Sequence, residues 1–180
     1  MAAKLKVGVV GVGYLGRFHA LIYSRMNSVE LVGVHDSNPE QASSVAGEAG
    51  TRSLSLGELV DECDAVSIVV PTTLHLEIAR PFLEKGTHML LEKPIEAEVA
   101  KAGEIVRLAK ESGATLQVGH LERYNAGILA LAERIENPRF IEAQRMGGFK
   151  ARATDVDVIS DLMIHDIDII LSLVKSELVS

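Results

Sequence analysis

The 180-residue chain holds one cysteine, Cys63, and little positive charge: 18 Lys and Arg stand against 25 Asp and Glu, for a formal net charge of −7. A single cysteine excludes an intramolecular disulfide and fits a reducing, cytoplasmic compartment. Its neighbours Asp61, Glu62 and Asp64 would raise a thiol pKa, so Cys63 reads as structural. The acidic balance, with no basic face in the sequence, argues against general nucleic-acid binding. No apolar run approaches the roughly 20 residues needed to cross a bilayer, so a membrane span is not expected. No signal peptide is expected either, because Met1–Lys6 runs straight into an apolar segment. No Cys/His spacing resembles a zinc site, and metals are set aside. There is no Ser-centred elbow and no phosphate loop ending in Gly-Lys-Ser/Thr.

What is present is concentrated first in residues 5–16, LKVGVVGVGYLG. Val7 to Val10 reads as a buried strand, and it feeds into Gly11-x-Gly13-x-x-Gly16. Behind it, Leu15, Phe18, Ile22 and Met26 recur at helical spacing. Strand, glycine turn and helix together are the setting in which this motif binds a dinucleotide. Gly11 allows the tight turn, Gly13 lets the backbone approach a pyrophosphate, and Gly16 lets helix pack on strand. Tyr14 and Leu15, at the motif's variable positions, join the candidate cofactor contacts. The helix N-terminus offers free N–H groups and a positive dipole end. A second strand, Glu30 to His35, ends in Asp36, twenty residues past Gly16. A carboxylate there accepts from ribose hydroxyls and repels a 2′-phosphate. No Arg or Lys occurs from Ser37 to Gly50, so the pattern favours NAD over NADP.

The rest alternates. Asn38-Pro39-Glu40 starts a helix, Thr51-Arg52-Ser53 reads as a short strand, and Ser55-Leu56-Gly57-Glu58 has capping-box spacing. Asp64 to Val70 reads as a central strand, ended by Pro71-Thr72-Thr73. Leu74–Lys85 is expected as a helix, Thr87–Leu91 as a strand, Glu96–Glu111 as a helix and Ala114–Val118 as a strand. This order implies an α/β fold with a doubly wound parallel sheet over residues 1–119. Ligands bind such sheets beyond the carboxyl ends of the strands. Gly11–Gly16, Asp36, Pro71, Thr72, His75, Glu92, Lys93 and His120 all fall there, and they are the candidate cofactor contacts. Residues 120–180 read as the beginning of a second, α+β substrate domain. In it, helices are expected over Leu121–Ile135 and Val158–Val174, a strand over Phe140–Met146 and a partly basic loop over Gly147–Asp157, with Lys150 and Arg152. His19, His35 and His88 have no coherent partner pattern and are left structural.

Several motifs resemble one family, the Gfo/Idh/MocA oxidoreductases. They are Gly11-Val-Gly13-Tyr-Leu-Gly16, Pro71-x-x-x-His75, Glu92-Lys93-Pro94 and Asp161-x-x-x-His165-x-x-Asp168. More narrowly, the stretches 119–125 and 161–168 are similar to the subgroup of UDP-N-acetylglucosamine 3-dehydrogenases. The resemblance implies hydride transfer between a sugar or nucleotide-sugar hydroxyl carbon and the nicotinamide of NAD. It assigns acid–base work to His165, with Lys93 hydrogen-bonding the same oxygen or relaying its proton. Asp161, four residues before His165, orients it or contacts a substrate hydroxyl. Glu92 orients its loop or contacts cofactor, and Pro94 is expected to follow a cis peptide bond. His75 lines the cofactor pocket or starts a helix. His120, Arg123 and Tyr124 are open candidates for nicotinamide or substrate contact. Asp168 touches substrate or makes a structural contact.

Two departures stand beside the resemblance. Ala126 follows Asn125 where the relatives usually carry Pro, and the family generally continues well past this length. An alternative is therefore a non-catalytic NAD-binding module that lacks a substrate wall, and an interaction protein reusing the fold is a third reading. The apolar helix around Ile159–Val174 makes self-association an expectation.

Overall fold

The computed structural model describes residues 3–146, 157–174 and 176–179. The chain divides into two compact units, Met1–Val118 and Gly119–Ser180. In the first, strand β1 (Leu5–Val10) leads through the glycine turn into helix α1 (Tyr14–Tyr23). Then come β2 (Val29–His35), α2 (Pro39–Ala49), α3 (Leu56–Glu62), β3 (Ala65–Ile68), α4 (His75–Glu84), β4 (His88–Leu91), α5 (Val99–Ser112) and β5 (Leu116–Val118). All strand pairs are parallel, in the order β2-β1-β3-β4-β5. The sheet order reverses between β1 and β3, the switch point where such sheets bind ligands.

The alternation of side chains along each strand splits the core in two. Val10, Val66, Ile68, Met89 and Leu91 pack with Leu59, Phe82, Leu83 and Ile105 from α3, α4 and α5. Val9 and Val34 pack on the other face with Ala20 of α1 and Val45 and Ala46 of α2. Each fully buried Val, Leu or Phe contributes about 1.5–3 kcal/mol. Because both faces are covered, the middle strands are apolar nearly throughout, which is why they were legible.

Local signals place the boundaries. Asn38 caps α2 by accepting from Glu40 and Gln41 N–H, and Gly50 ends it at φ 66°. Ser55 and Glu58 form the reciprocal capping box of α3. The Lys93–Pro94 bond is cis. Thr51–Ser53, expected as a strand, makes only an isolated bridge, Val34 with Ser53. The next residue but one, Ser55, already gives its N–H to Glu58, so the ladder cannot extend. α5 begins at Val99 rather than at Glu96, because the buried Glu96 carboxylate turns back to accept from Ala97 and Leu76 N–H.

The second unit departs further from expectation. Leu121–Ile135 is not one helix: a 3₁₀ turn (Leu121–Tyr124) stops at Asn125, and α6 covers Ala126–Ala132. Asn125 is extended, and its side chain accepts from Gly127 N–H, so it caps a new helix instead of continuing the old one. Phe140–Met146 forms no strand. A strand needs a partner ladder, and among the described residues none pairs with it. Val158–Val174 is mixed: a π turn (Ile159–Met163) precedes helix α7 (Ile164–Leu173). The expected basic loop lies outside the described residues except at Asp157.

Candidate functional site

The glycine turn is built as its spacing requires. Gly11 sits at φ +81°, and a Cβ on it would stand 2.4 Å from the Val69 carbonyl oxygen. A Cβ on Gly16 would stand 1.8 Å from the Gly11 oxygen, so helix and turn touch backbone to backbone. Gly13 is different: nothing lies within 4 Å of its Cβ position. That open space faces the start of α1, where Gly13 is the N-cap, no side chain caps the helix and the first turn carries no acid. Free N–H groups and an uncompensated dipole end meet this open space, which suits a pyrophosphate. Tyr14 is 83 % exposed beside this gap, its ring set edge-on to Phe18 at 5.4 Å. Arg17, the first cation of the helix, is taken up by Glu48, which raises its pKa.

Asp36 follows β2 and reaches back to the turn. Its Oδ2 accepts from Val12 N–H at 2.8 Å and its Oδ1 from Asn38 N–H at 2.9 Å. Each oxygen keeps a further acceptor site for a ribose hydroxyl. Gln41 closes the same loop by donating to the Val12 carbonyl at 2.8 Å. Sequence reasoning missed Gln41; its place one turn into the helix after Asp36 was the available signal.

Beyond β3, Pro71 is exposed and Thr72 buried at the head of a 3₁₀ turn. His75 is 1 % exposed, and its ring nitrogens face two backbone carbonyls, Ile95 at 3.2 Å and Val70 at 3.1 Å. It ties the loop after β3 to the one after β4. Beyond β4, Glu92 is buried, Lys93 half-buried and Pro94 buried. Glu92 N–H donates to the Ile68 carbonyl, which fixes this turn to the end of β3. Glu92 also meets His19 of α1, and His19 in turn meets Ser67. No periodicity announces that contact, since His19 follows a helical pattern without a partner in sequence.

Cys63 is buried with its thiol pushed up to about 12, by burial first and then by Glu62 and Asp64. Its distance from any reactive role agrees with a structural reading.

In the second unit, Asp168 is 7 % exposed and receives both Arg123 guanidinium arms at 2.6 Å, which raises the Arg123 pKa. His120 Nε2 is 3.9 Å from the same carboxylate. Asp166 is paired with Arg145 at 2.8 Å, which holds its carboxyl below the usual range. Asp161 lies in the π turn and His165 in α7. They are four residues apart, a spacing that in a π turn and in an α-helix alike returns the chain to nearly the same face. Among the described residues no group of three or more His, Cys, Asp or Glu is placed to hold a metal ion.

Comparison with known proteins adds a family. The family model for the Gfo/Idh/MocA oxidoreductases, described as an oxidoreductase family with an NAD-binding Rossmann fold, matches residues 5–120. The chain is 42% identical over 175 residues to UDP-N-acetylglucosamine 3-dehydrogenase of Acidithiobacillus ferrooxidans, covering 96% of this chain and 55% of that protein. A crystal structure of that organism's enzyme superposes with a TM-score of 0.91, over 99% of this chain and 60% of the other. An inositol 2-dehydrogenase of Rhizobium meliloti is 28% identical over 98% of this chain and 57% of its own. GenD2 from gentamicin A biosynthesis, solved in complex with NAD, is 28% identical with a TM-score of 0.70, over 74% of this chain and 39% of the other. The chain thus spans a little over half the length of the curated relatives it matches.

Proposed function

We propose a sugar dehydrogenase function on the premise that this chain belongs to the Gfo/Idh/MocA oxidoreductase family. The substrate class we infer is a nucleotide sugar, oxidised at a ring hydroxyl carbon with NAD as hydride acceptor. The observation that carries the reading is the bare start of α1: an open Gly13, no side-chain cap, no first-turn acid, and the Asp36 carboxylate one loop away. These residues fit a dinucleotide. Gly11, Gly13, Tyr14, Leu15 and Gly16 would hold its pyrophosphate and Asp36 its ribose. Pro71, Thr72, His75, Glu92 and His120 complete the proposed cofactor contacts. NAD supplies the hydride acceptor when bound.

Removing hydride from a carbinol carbon needs a base for the hydroxyl proton. His165 is the proposed acceptor of that proton, with Lys93 hydrogen-bonding the same oxygen or relaying its proton, and Asp161 holding His165 or a substrate hydroxyl. A cationic Lys93 favours the alkoxide that develops as the proton leaves. Support for these roles comes from the residue pattern and the similarity to UDP-N-acetylglucosamine 3-dehydrogenase. A cytoplasmic location and self-association belong to the same proposal. Among the described residues no helix is long and apolar enough to cross a membrane.

The test is NADH absorbance at 340 nm on mixing the 180-residue chain with NAD and UDP-N-acetylglucosamine, beside Lys93→Ala and His165→Ala. The expected result is substrate-dependent NADH formation, lowered at least about a hundredfold in either variant. NADH binding without turnover would assign this chain the binding role alone. No NADH binding at all would overturn the reading.

A further inference from the structure

A buried polar line crosses the first unit beneath α1. Tyr23 Oη lies 3.1 Å from Ser67 Oγ, and Ser67 Oγ lies 3.0 Å from His19 Nδ1. The opposite ring nitrogen, His19 Nε2, faces Glu92 Oε1 at 3.4 Å. Ser67 is fully buried, Glu92 is 6 % exposed and His19 is 9 % exposed. Oε1 of Glu92 makes no hydrogen bond among the described residues. Tyr23, Ser67 and His19 have no part in the chemistry proposed above. Ser67 stands in the middle of β3, where a strand covered on both faces normally carries an aliphatic side chain.

A hydroxyl, an imidazole and a carboxylate buried together are costly unless they satisfy one another. The carboxylate end sets the donor order. With its proton on Nε2, the side that faces the carboxylate, the ring leaves Nδ1 as an acceptor. Ser67 then donates to Nδ1, and its oxygen takes the proton of Tyr23. Every donor points the same way, from Tyr23 through Ser67 and His19 toward Glu92. The line also joins two places that matter for a dinucleotide. His19 and Tyr23 ride on α1, whose N-terminus is the open phosphate-facing turn. Glu92 is the first residue past β4, next to Lys93.

We propose that His19, backed by Ser67 and Tyr23, is a positioning residue: its Nε2, 3.4 Å from the unpartnered Glu92 Oε1, closes on that oxygen when the dinucleotide binds, holds the carboxylate in one orientation and couples that contact to α1. The proposal rests on the reading that Glu92 contacts the cofactor. It follows that His19 and Glu92 act on NADH affinity as one unit, not as two separate groups.

The experiment is a double-mutant cycle on NADH affinity, read by nicotinamide fluorescence on the 180-residue chain. Wild type, His19→Ala, Glu92→Gln and the double variant are compared, with the thermal midpoint of each. Each single variant is expected to weaken binding about tenfold, and the double variant by no more than about twice that, the non-additivity of residues in one network. His19→Gln, which keeps a donor near the Nε2 position, is expected to recover affinity to within about threefold of wild type. Ser67→Ala, a milder change that leaves the ring in place, is expected to weaken binding in the same direction. If His19→Ala does not fold, His19→Gln and Ser67→Ala, each alone and with Glu92→Gln, carry the cycle. A thermal midpoint that falls while affinity holds would reduce the line to a structural role and overturn the proposal. So would additive losses, about a hundredfold in the double variant. Wild type that fails to bind NADH would overturn the cofactor reading of Glu92 itself, an outcome that no variant is needed to recognise.

Discussion

Gly13 and Gly16 are three residues apart and have opposite reasons to be glycine. A methyl on Gly16 would enter the Gly11 carbonyl oxygen, and neither backbone segment can yield without moving the turn. Gly16→Ala is therefore expected to destabilise the first unit by at least about 3 kcal/mol, the upper range of overpacking. A methyl on Gly13 meets nothing. Gly13→Ala is expected to change stability by no more than about 1 kcal/mol, since Gly and Ala differ modestly at an N-cap. The same methyl would fill the space in which a pyrophosphate meets the N–H groups, so NADH should bind at least about tenfold more weakly, the loss of one charge-assisted hydrogen bond or more. Thermal melts and fluorescence titrations of both variants check this. Equal loss of stability and affinity in the two would mean that Gly13 is only a turn residue.

At the scale of the element, the first unit was readable because its signals are local and redundant. Val7–Val10, Ala65–Val70 and Met89–Leu91 are largely apolar runs that end in glycine, proline or charge, and α2 and α3 carry side-chain caps. Where a boundary shifted, a side chain had taken a backbone partner that no periodicity records: Glu96 on Leu76 and Ala97, Glu58 on Ser55. The second unit was less readable because its elements depend on partners far away in sequence. Phe140–Met146 alternates well enough for a strand yet joins no ladder among the described residues. The break at Asn125 turned on one side chain choosing to cap. Of the candidate site, the glycine turn and Asp36 were legible from spacing, and Glu92–Pro94 from its place after a strand and the family resemblance. The His19–Ser67–Tyr23 line was not, because it joins an α-helix to a strand across 48 residues of sequence. The Arg123–Asp168 pair, 45 residues apart, was hidden for the same reason. It clamps the turn over Leu121–Tyr124 to α7. Arg123→Ala leaves a buried carboxylate without its fork, which should cost about 1–3 kcal/mol given that the Arg side chain is half exposed. The cost should appear as roughly tenfold or faster amide exchange in α7, with the first unit unchanged. Arg123→Lys, which keeps the charge and loses the fork, should fall between. Exchange in α7 that ignores both variants would remove the clamp.

At the scale of the whole molecule, charge decides which dinucleotide the first unit accepts. The chain carries seven more negative than positive charges. The basic residues at the turn's margins are spoken for: Arg17 pairs with Glu48 and Arg52 with Glu62. A 2′-phosphate would bring about two further negative charges toward Asp36 with no cation released to meet them. At about 4 Å, each unit of repulsion costs between roughly 1 and 4 kcal/mol, depending on how much water remains. NADPH is therefore expected to bind at least about tenfold more weakly than NADH. Stabilisation by mass action gives an independent reading, since ligand at a hundred times its Kd adds about 2.7 kcal/mol to the unit that binds it. NADH should raise the melting transition of the first unit, and NADPH at the same concentration should raise it less. Asp36 also holds the turn through Val12 N–H, so removing the side chain would confuse charge with structure. Asp36→Asn separates them, because the amide oxygen can still accept from Val12 while the charge is gone. That variant should narrow the gap between the two cofactors chiefly by improving NADPH, and added salt should narrow it in wild type by screening. A gap that neither neutralisation nor salt moves would place the discrimination in shape and remove Asp36 from it.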